Sequence, residues 1–498
     1  MKPQAETTCV DRAGAAALVG LARASGRGAL DAALDLAAAA RGLTFVAMRA
    51  PVIDAARIVD AWNDTPLVVW EAGAREHEPA LVIVGVGVAR ELRGTGADRF
   101  AELAAGAAAL PIAGAVALDD ELARPLALAE LDDLARPRFV GGGAFAPGAA
   151  DRAPWSGFGD GWFALPRWTY VHDGARAFLV LAIDDHDARD ATRWHAELAL
   201  HRAVFATTAP VAPQPAVVEV TRASEDLWRV QVEAITTAIH HGACSKVVAA
   251  RTCSVALAGT ARAGALLDAL GHRHPECTRV IVRPPGAGTL VAATPERLVR
   301  RAGAVIACDA LAGTVRHDGT RADRAAAALL ASAKDRREHQ LVVDAIRGAL
   351  EAVDAEIEAP AEPEVRVLRH VLHLHTPFRA TARAPRHVLE LAARLHPTPA
   401  VGGTPTATAI EWIQTCEPVP RGWYASPVGW FDLDGNGELA VAIRSGVLAG
   451  NRAHLWAGAG IVAGSDPDRE LAETELKLRA MLGALGSHEA RAIQEAAG

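Results

Sequence analysis

The chain has no pair of cysteines at C-x-x-C spacing, no apolar run long enough to cross a bilayer, and no surplus of basic charge. Each absence excludes something. Six cysteines (Cys9, Cys244, Cys253, Cys277, Cys308 and Cys416) are scattered singly, which argues against a zinc centre or a disulfide framework and for free thiols in a reducing cytosol. The longest apolar tract, residues 103–118, is Ala/Gly-rich, interrupted by Pro111 and too short to span. The N-terminus carries Glu6 and Asp11 and lacks the basic-then-apolar run of a secretory signal, so a cytoplasmic location is expected. A formal charge of −8 without a Lys/Arg stripe argues against a nucleic-acid surface, but not against a small anion in a local basic pocket.

What is present is a globular composition. The 498 residues are 51% apolar and 22% charged, enough for two or three average domains or one large one. Residues 12–41 are Ala/Leu-rich at helical spacing, and residues 80–89 read as a buried strand. Gly141-Gly-Gly and Trp155-Ser-Gly-Phe-Gly-Asp-Gly predict loops. Residues 162–181 predict two strands joined at Asp173-Gly174. A Pro-rich stretch at 209–215 is the best internal boundary, separating residues 1–215 from 216–498. Beyond it, helical patterns at 222–241, 321–354, 386–395 and 466–485 alternate with strand pairs. Hairpins are expected near Asp434-Gly-Asn-Gly437 and across Gly450-Asn451, the latter between 439–448 and 453–457. Antiparallel hairpins mixed with long helices predict an α+β fold rather than a doubly wound parallel sheet.

Two motifs mislead. Gly85-Val-Gly-Val-Ala lacks the third glycine and the βαβ unit of a dinucleotide site. Asp432-Leu-Asp-Gly-Asn-Gly-Glu438 misplaces the glycines and terminal Glu of a calcium loop and fits a hairpin turn better.

Candidate chemistry is spread over the second half. Glu338 on one helical stretch, and Glu470 and Glu473 at i,i+3 on another, place carboxylates where a hard cation such as Mg²⁺ takes oxygen ligands. The competing reading of the second stretch is an ordinary surface helix with Glu473 and Lys477 as an i,i+4 pair. Lys246 starts an apolar strand, where a lysine drawn partly out of water suits general-base work; a snorkelling surface lysine is the alternative. Glu296 follows a strand and Pro295, placed to protonate a leaving hydroxyl, or simply to begin a helix. Residues 309–314 and 457–465 read as small-residue loops whose amides approach an anion, the second leading to Ser465-Asp466 as N-caps and Pro467 at N1. Arg444, in the strand Val-Ala-Ile-Arg-Ser, offers a fork for a carboxylate, and His373 a donor to a substrate oxygen or a core histidine.

In order, the blocks Ser-Lys246-Val-Val, Ala-Thr-Pro-Glu296-Arg-Leu, Ala-Leu-Ala-Gly313-Thr and Ser-Ala-Lys-Asp-Arg-Arg-Glu338-His resemble the chorismate-utilising enzymes, and among them isochorismate synthase. So do Leu-His373-Leu-His-Thr-Pro-Phe, Leu-His396-Pro-Thr-Pro-Ala-Val-Gly-Gly403-Thr-Pro, Arg421-Gly-Trp-Tyr424-Ala-Ser-Pro, Val-Ala-Ile-Arg444-Ser, Ala-Gly-Ala-Gly460-Ile-Val-Ala-Gly-Ser and Glu473-Thr-Glu-Leu-Lys477. The dense match spans residues 240–485; the first 215 match loosely. The resemblance implies two large antiparallel sheets stacked as a core with helices outside, the N-terminal part adding strands to that core. It implies Lys246 as the base that activates water, Glu296 as the acid for the departing hydroxyl, and Mg²⁺ held by Glu338 and Glu473, with Glu470 close by through water. It further implies that Gly458, Gly460 and Lys477 touch the ring carboxylate, Arg444 and Tyr424 hold the enolpyruvyl carboxylate, and His373, Gly313 and Thr314 lie near the ring.

The lysine separates this chain from relatives that use ammonia, such as anthranilate synthase, so no glutamine amidotransferase subunit is expected. The Val-Val-Asp344 segment also departs from their Leu-Val-Asp-Leu-Arg-Asn-Asp pattern. Salicylate synthase, which shares the lysine and glutamate, is the alternative activity, and a non-catalytic chorismate-binding paralogue a more distant one. Menaquinone and siderophore pathways stay equally open. Two departures from the family pattern, Ser426 after Ala425 and Ala380 after Phe378-Arg, raise the question whether an added Cβ blocks a positive φ near the site.

Overall fold

The computed structural model describes residues 28–73, 80–119, 122–316, 322–367 and 371–487; Cys9 and residues 12–27 of the Ala/Leu-rich stretch lie outside them. Among the described residues, 22 strands form one hydrogen-bonded network and eleven α-helices surround it. The network folds into two sheets at a long antiparallel pair, Val82–Gly94 with Gly161–His172. Residues 168–172 of the latter continue into Ala177–Ile183, whereas residues 161–164 continue into Arg138–Gly143.

From that junction the first sheet runs through Leu67–Glu71, Thr278–Arg283, Thr289–Thr294, Ser445–Ala449 and Arg452–Val462 to Lys246–Leu257 and Val217–Arg222. The second runs through Pro427–Asp432, Gly437–Val441, Arg297–Ala302 and Val305–Arg316 to Val371–Ala382. Pairing is antiparallel except between Leu43–Ala50 and Ile112–Leu118. Strands from before residue 215 are interleaved with later ones in both sheets, and residues 207–216 form an irregular connection from the helix Ala191–Ala206 to the next strand.

The period of two along each strand builds the layers. Val280, Val282, Leu290 and Ala292 point into a core shared with Leu298, Val299, Ile306 and Ala310 of the second sheet. Their neighbours Ile281, Val291 and Ala293 point the other way, against helices Ala263–Arg273 and Pro467–Ala484. A slip of one residue would exchange the two sets, each valine, leucine or isoleucine among them being worth about 1.5–3 kcal/mol when buried.

Three expectations need correction. Gly141-Gly-Gly is not a loop but part of the strand Arg138–Gly143; a Cβ at Gly141 would sit 2.1 Å from the Trp162 carbonyl oxygen, so glycine there permits close strand approach rather than a turn. The pattern at 321–354 is two helices, Ala322–Ala331 and Ala333–Glu351, because Ser332 breaks it and caps the second through the amide of Asp335. Residues 439–448 are two strands, broken at 442–444. Residues 103–118 are divided between the helix Arg99–Ala108 and the strand Ile112–Leu118, and no helix among the described residues is long and apolar enough to cross a membrane.

Candidate active site

Two adjacent crossovers between the sheets deliver the first pair of functional side chains. The chain passes from the first sheet to the second at Pro295-Glu296 and returns at 442–444. The crossovers are bonded to each other: the Val441 amide donates to the Glu296 carbonyl (3.0 Å) and the Ala293 amide to the Arg444 carbonyl (3.1 Å). Arg444 is therefore not in a strand, and its φ of 49° is a left-handed conformation that costs about 1–3 kcal/mol in a non-glycine residue. Glu296 begins no helix; its amide is held by Thr294 Oγ1 at 3.1 Å.

The strand Lys246–Leu257 and its partner Arg452–Val462 supply Lys246, Gly458 and Gly460. Gly458 and Gly460 lie in that ladder, which ends at Val462 before a turn with Gly464 at φ 82°, and residues 309–314 lie in the strand Val305–Arg316 with a bulge at Gly313 (φ 72°), so of the two expected loops only residues 463–465 are one. The Val248 and Ala250 amides, opposite Gly460 and Gly458, donate instead to the Gly402 carbonyl (2.8 Å) and Glu417 Oε1 (3.0 Å), so both glycines stand at non-hydrogen-bonded positions of the ladder, and their lack of side chains clears space. The helices Ala333–Glu351 and Pro467–Ala484 supply the acids, the second started by Asp466 as N-cap, accepting from the Arg469 amide at 2.9 Å, and Pro467 at N1.

These elements enclose a cavity of about 410 Å³. Twelve of the thirteen residues named from the sequence line it: Glu296, Gly313, Thr314, Glu338, His373, Tyr424, Arg444, Gly458, Gly460, Glu470, Glu473 and Lys477. Lys246 is the exception. It is fully buried behind Glu338, with Nζ donating to Oε1 at 2.8 Å. Gly460 makes room for this pair, since a Cβ there would lie 2.6 Å from Glu338 Oε1 and 2.9 Å from Lys246 Cε.

Burial pushes the Glu296 carboxyl up to about 8, Lys246 opposing the shift and Asp309 adding to it, so it carries its proton at neutral pH. Burial also tends to raise Glu338, but the Lys246 ammonium outweighs it and holds that carboxyl below its ordinary range. His373 is buried and pushed well below the usual imidazole range, by desolvation first and then by Arg444 and Lys477, so it is neutral. Arg444 Nη2 can only donate to His373 Nε2 (3.4 Å), which assigns the ring proton to Nδ1, beside Thr314 Oγ1 at 3.0 Å. The other Arg444 terminal nitrogen reaches Cys277 Sγ at 3.6 Å, and among the described residues no carboxylate pairs with this guanidinium. Lys477 Nζ donates to Glu473 Oε1 (2.7 Å) and the Gly458 carbonyl (2.8 Å), the i,i+4 pair of the helix.

Three carboxylates on one cavity wall are hard oxygen donors, a set that fits a divalent cation in kind. Glu470 adds a reason: burial raises its carboxyl, Lys334 resists, and the nearby charge of Glu473 raises it further, an excess of negative charge that a cation relieves. As placed, each acid is answered by a lysine, and no three Asp, Glu, His or Cys among the described residues stand close enough to hold an ion together.

Sequence reasoning missed several contributors. Lys334 lines the cavity and bonds Glu470 Oε1 at 3.3 Å; its i,i+4 spacing to Glu338 was the available signal. Arg421, buried, donates to the Val248 and Val401 carbonyls (2.7 Å each) and to Glu417 (2.8 Å), tying together three segments around the cavity. Trp456 stacks beside Tyr424 at 6.4 Å. Ser426 has no positive φ; Ala425 before it does (60°), and the Ser426 hydroxyl donates to the Trp423 carbonyl at 2.6 Å. Ala380 is buried within the strand Val371–Ala382, off the cavity.

The family described as chorismate binding enzyme matches residues 38–486. The salicylate biosynthesis isochorismate synthase of Pseudomonas aeruginosa is 36% identical over 444 residues, covering 87% of this chain and 88% of that protein. The isochorismate synthase MenF of Bacillus subtilis is 33% identical over 353 residues, covering 70% and 75%. Among solved structures, MenF of Escherichia coli, the menaquinone-specific isochorismate synthase, superposes with a TM-score of 0.72 at 26% identity, covering 92% of this chain and 99% of that one. The motif order, the doubled sheet and these matches agree: the chain belongs to the chorismate-binding enzymes.

Proposed function

We propose that this enzyme is an isochorismate synthase that isomerises chorismate with Lys246 as base and Glu296 as acid. Water adds to C2 of the ring while the C4 hydroxyl leaves and the ring double bonds shift. Lys246 accepts the proton of the attacking water, and Glu296 gives its proton to the departing hydroxyl, which leaves as water. One carbon–oxygen bond forms and one breaks, so substrate and product are isomers. Water is a weak nucleophile, and much of the rate must come from position.

The observation that carries this reading is the Glu296 carboxyl, on the cavity wall and protonated near neutrality through burial. The Arg444 guanidinium, without a carboxylate partner among the described residues, is suited to the enolpyruvyl carboxylate, with Tyr424 beside it. Lys477 is suited to the ring carboxylate. His373, neutral, with Gly313 and Thr314, would line the ring. Glu338 and Glu473, with Glu470, would hold Mg²⁺, which supplies charge neutralisation for the ring carboxylate when bound. The relatives named as isochorismate synthases favour the same activity.

Incubating the pure enzyme with chorismate and MgCl₂ tests this directly. Isochorismate is the expected product, identified by chromatography and mass. Salicylate with pyruvate, formed without a second enzyme, would overturn it in favour of salicylate synthase.

A further inference from the structure

Three lysines face the three acids of the cavity, and they are not held alike. Lys246 is wholly buried against Glu338, and the Lys477 side chain is 29% exposed and fixed by two acceptors. Lys334 is different. Its side chain is 46% exposed, and its one bond among the described residues, to Glu470 Oε1, is 3.3 Å long. It stands in the first turn of the helix Ala333–Glu351, one turn before Glu338 and so on the same face. Its Glu470 partner is the reverse: 5% exposed, and raised by burial and by Glu473.

A buried carboxylate beside another carboxylate needs a cation, and a half-exposed lysine supplies that charge from a long stem whose head keeps access to water. We infer that Lys334 is a displaceable counter-ion: it competes with the divalent cation for Glu470 and so sets how tightly that cation binds. A cation taking the Glu470 oxygen must move the ammonium aside and tolerate its charge nearby, whereas the long stem lets the ammonium swing into water. The inference rests on the proposed metal reading of Glu338, Glu470 and Glu473.

The test is MgCl₂ binding by calorimetry, with thermal unfolding measured with and without MgCl₂, on wild type, Lys334→Gln and Lys334→Arg. Lys334→Gln should bind Mg²⁺ more tightly, by roughly two- to tenfold. It should melt lower than wild type without Mg²⁺ and show the larger upward shift when Mg²⁺ is added, since the ion then supplies the charge Glu470 has lost. Lys334→Arg keeps the charge and should stay close to wild type on both measures, showing that folding tolerates change at this position. Unchanged or weaker Mg²⁺ binding by Lys334→Gln, with wild type binding normally, overturns the inference alone. Wild type that binds no Mg²⁺ overturns the metal reading and the inference with it.

Discussion

Glu296 and Glu338 look into the same cavity from opposite kinds of support, and their carboxyls shift in opposite directions. Glu296 sits at a corner where the chain crosses between sheets; it is buried, and no close cation bonds to it among the described residues, so desolvation dominates and raises it to about 8. Glu338 sits on a helix directly over Lys246, and the bonded ammonium reverses the effect of burial. Two carboxyls of one residue type thus become a protonated acid and a fixed anion through their neighbours alone. The contrast also bears on the hidden lysine: Lys246 Nζ donates to Glu338 Oε1, one of the carboxylates proposed to hold the cation.

The contrast can be broken most severely at the pair. Lys246→Met leaves Glu338, 15% exposed on the cavity wall, without its bonded ammonium, a change whose upper bound is the roughly 3–5 kcal/mol of a fully buried pair. It also removes the proposed base, with a loss in kcat on the order of 10²- to 10⁴-fold. Denaturant unfolding and steady-state isochorismate formation measure the two separately. Full turnover by this variant would remove Lys246 from the mechanism.

Glu296→Gln sharpens the other side. Glutamine keeps the shape and the neutrality of the protonated acid, so folding and Mg²⁺-dependent chorismate binding should persist while kcat falls on the order of 10²- to 10⁴-fold. The same residue sets a pH limit. With its pKa raised from 4.5 to about 8, Glu296 contributes stability that is fully present below about 4.5 and is lost as pH rises through about 8. Loss of the proton donor should lower kcat/KM over the same upper limb. Glu296→Gln should therefore unfold at a more nearly constant temperature than wild type between pH 6 and 9; a parallel decline in both would show that another group titrates.

A smaller effect is expected from Gly460→Ala. The new methyl would enter the space of the Lys246–Glu338 pair, and overpacking of this kind costs about 1–3 kcal/mol. Because the new methyl would meet Lys246 and Glu338 first, kcat should drop more than KM rises. Unaltered kinetics would mean that the pair has room to shift.

How much of this was readable beforehand follows from the physics of each feature. The acids, the lysine, Arg444 and the helix start at Asp466-Pro467 carry local chemistry, and their blocks were legible in order. The helix over 466–485 and the hairpins at Asp173-Gly174 and Gly450-Asn451 were legible too, because capping and turn residues act within a few positions. The two-sheet junction at Val82–Gly94 and Gly161–His172 was not, since pairing over such separations leaves no local signature. Gly458, Gly460 and Gly313 were misread as loop residues because glycine signals close approach as often as a turn, and only the neighbouring strand decides which. Lys246 behind Glu338, and Lys334 on Glu470, depend on contacts between distant helices and strands, which composition cannot rank.

The least consequential change lies at the position where the chain departs from its family's pattern. Ser426 is fully buried behind the cavity-lining Ala425, and its hydroxyl ties the loop back to the Trp423 carbonyl. The left-handed residue is Ala425, so the Ser426 side chain meets no backbone penalty of its own. Ser426→Ala removes one buried hydrogen bond, worth about 0.5–1.5 kcal/mol, and should lower the melting temperature by a few degrees at most. Ser426→Gly adds backbone freedom in the unfolded chain and should cost somewhat more. Neither variant alters a group that touches the cavity, so kcat/KM for chorismate should stay within about twofold of wild type. A large rise in KM for Ser426→Ala would mean that the hydroxyl, through Trp423, fixes the strained turn that aims Tyr424.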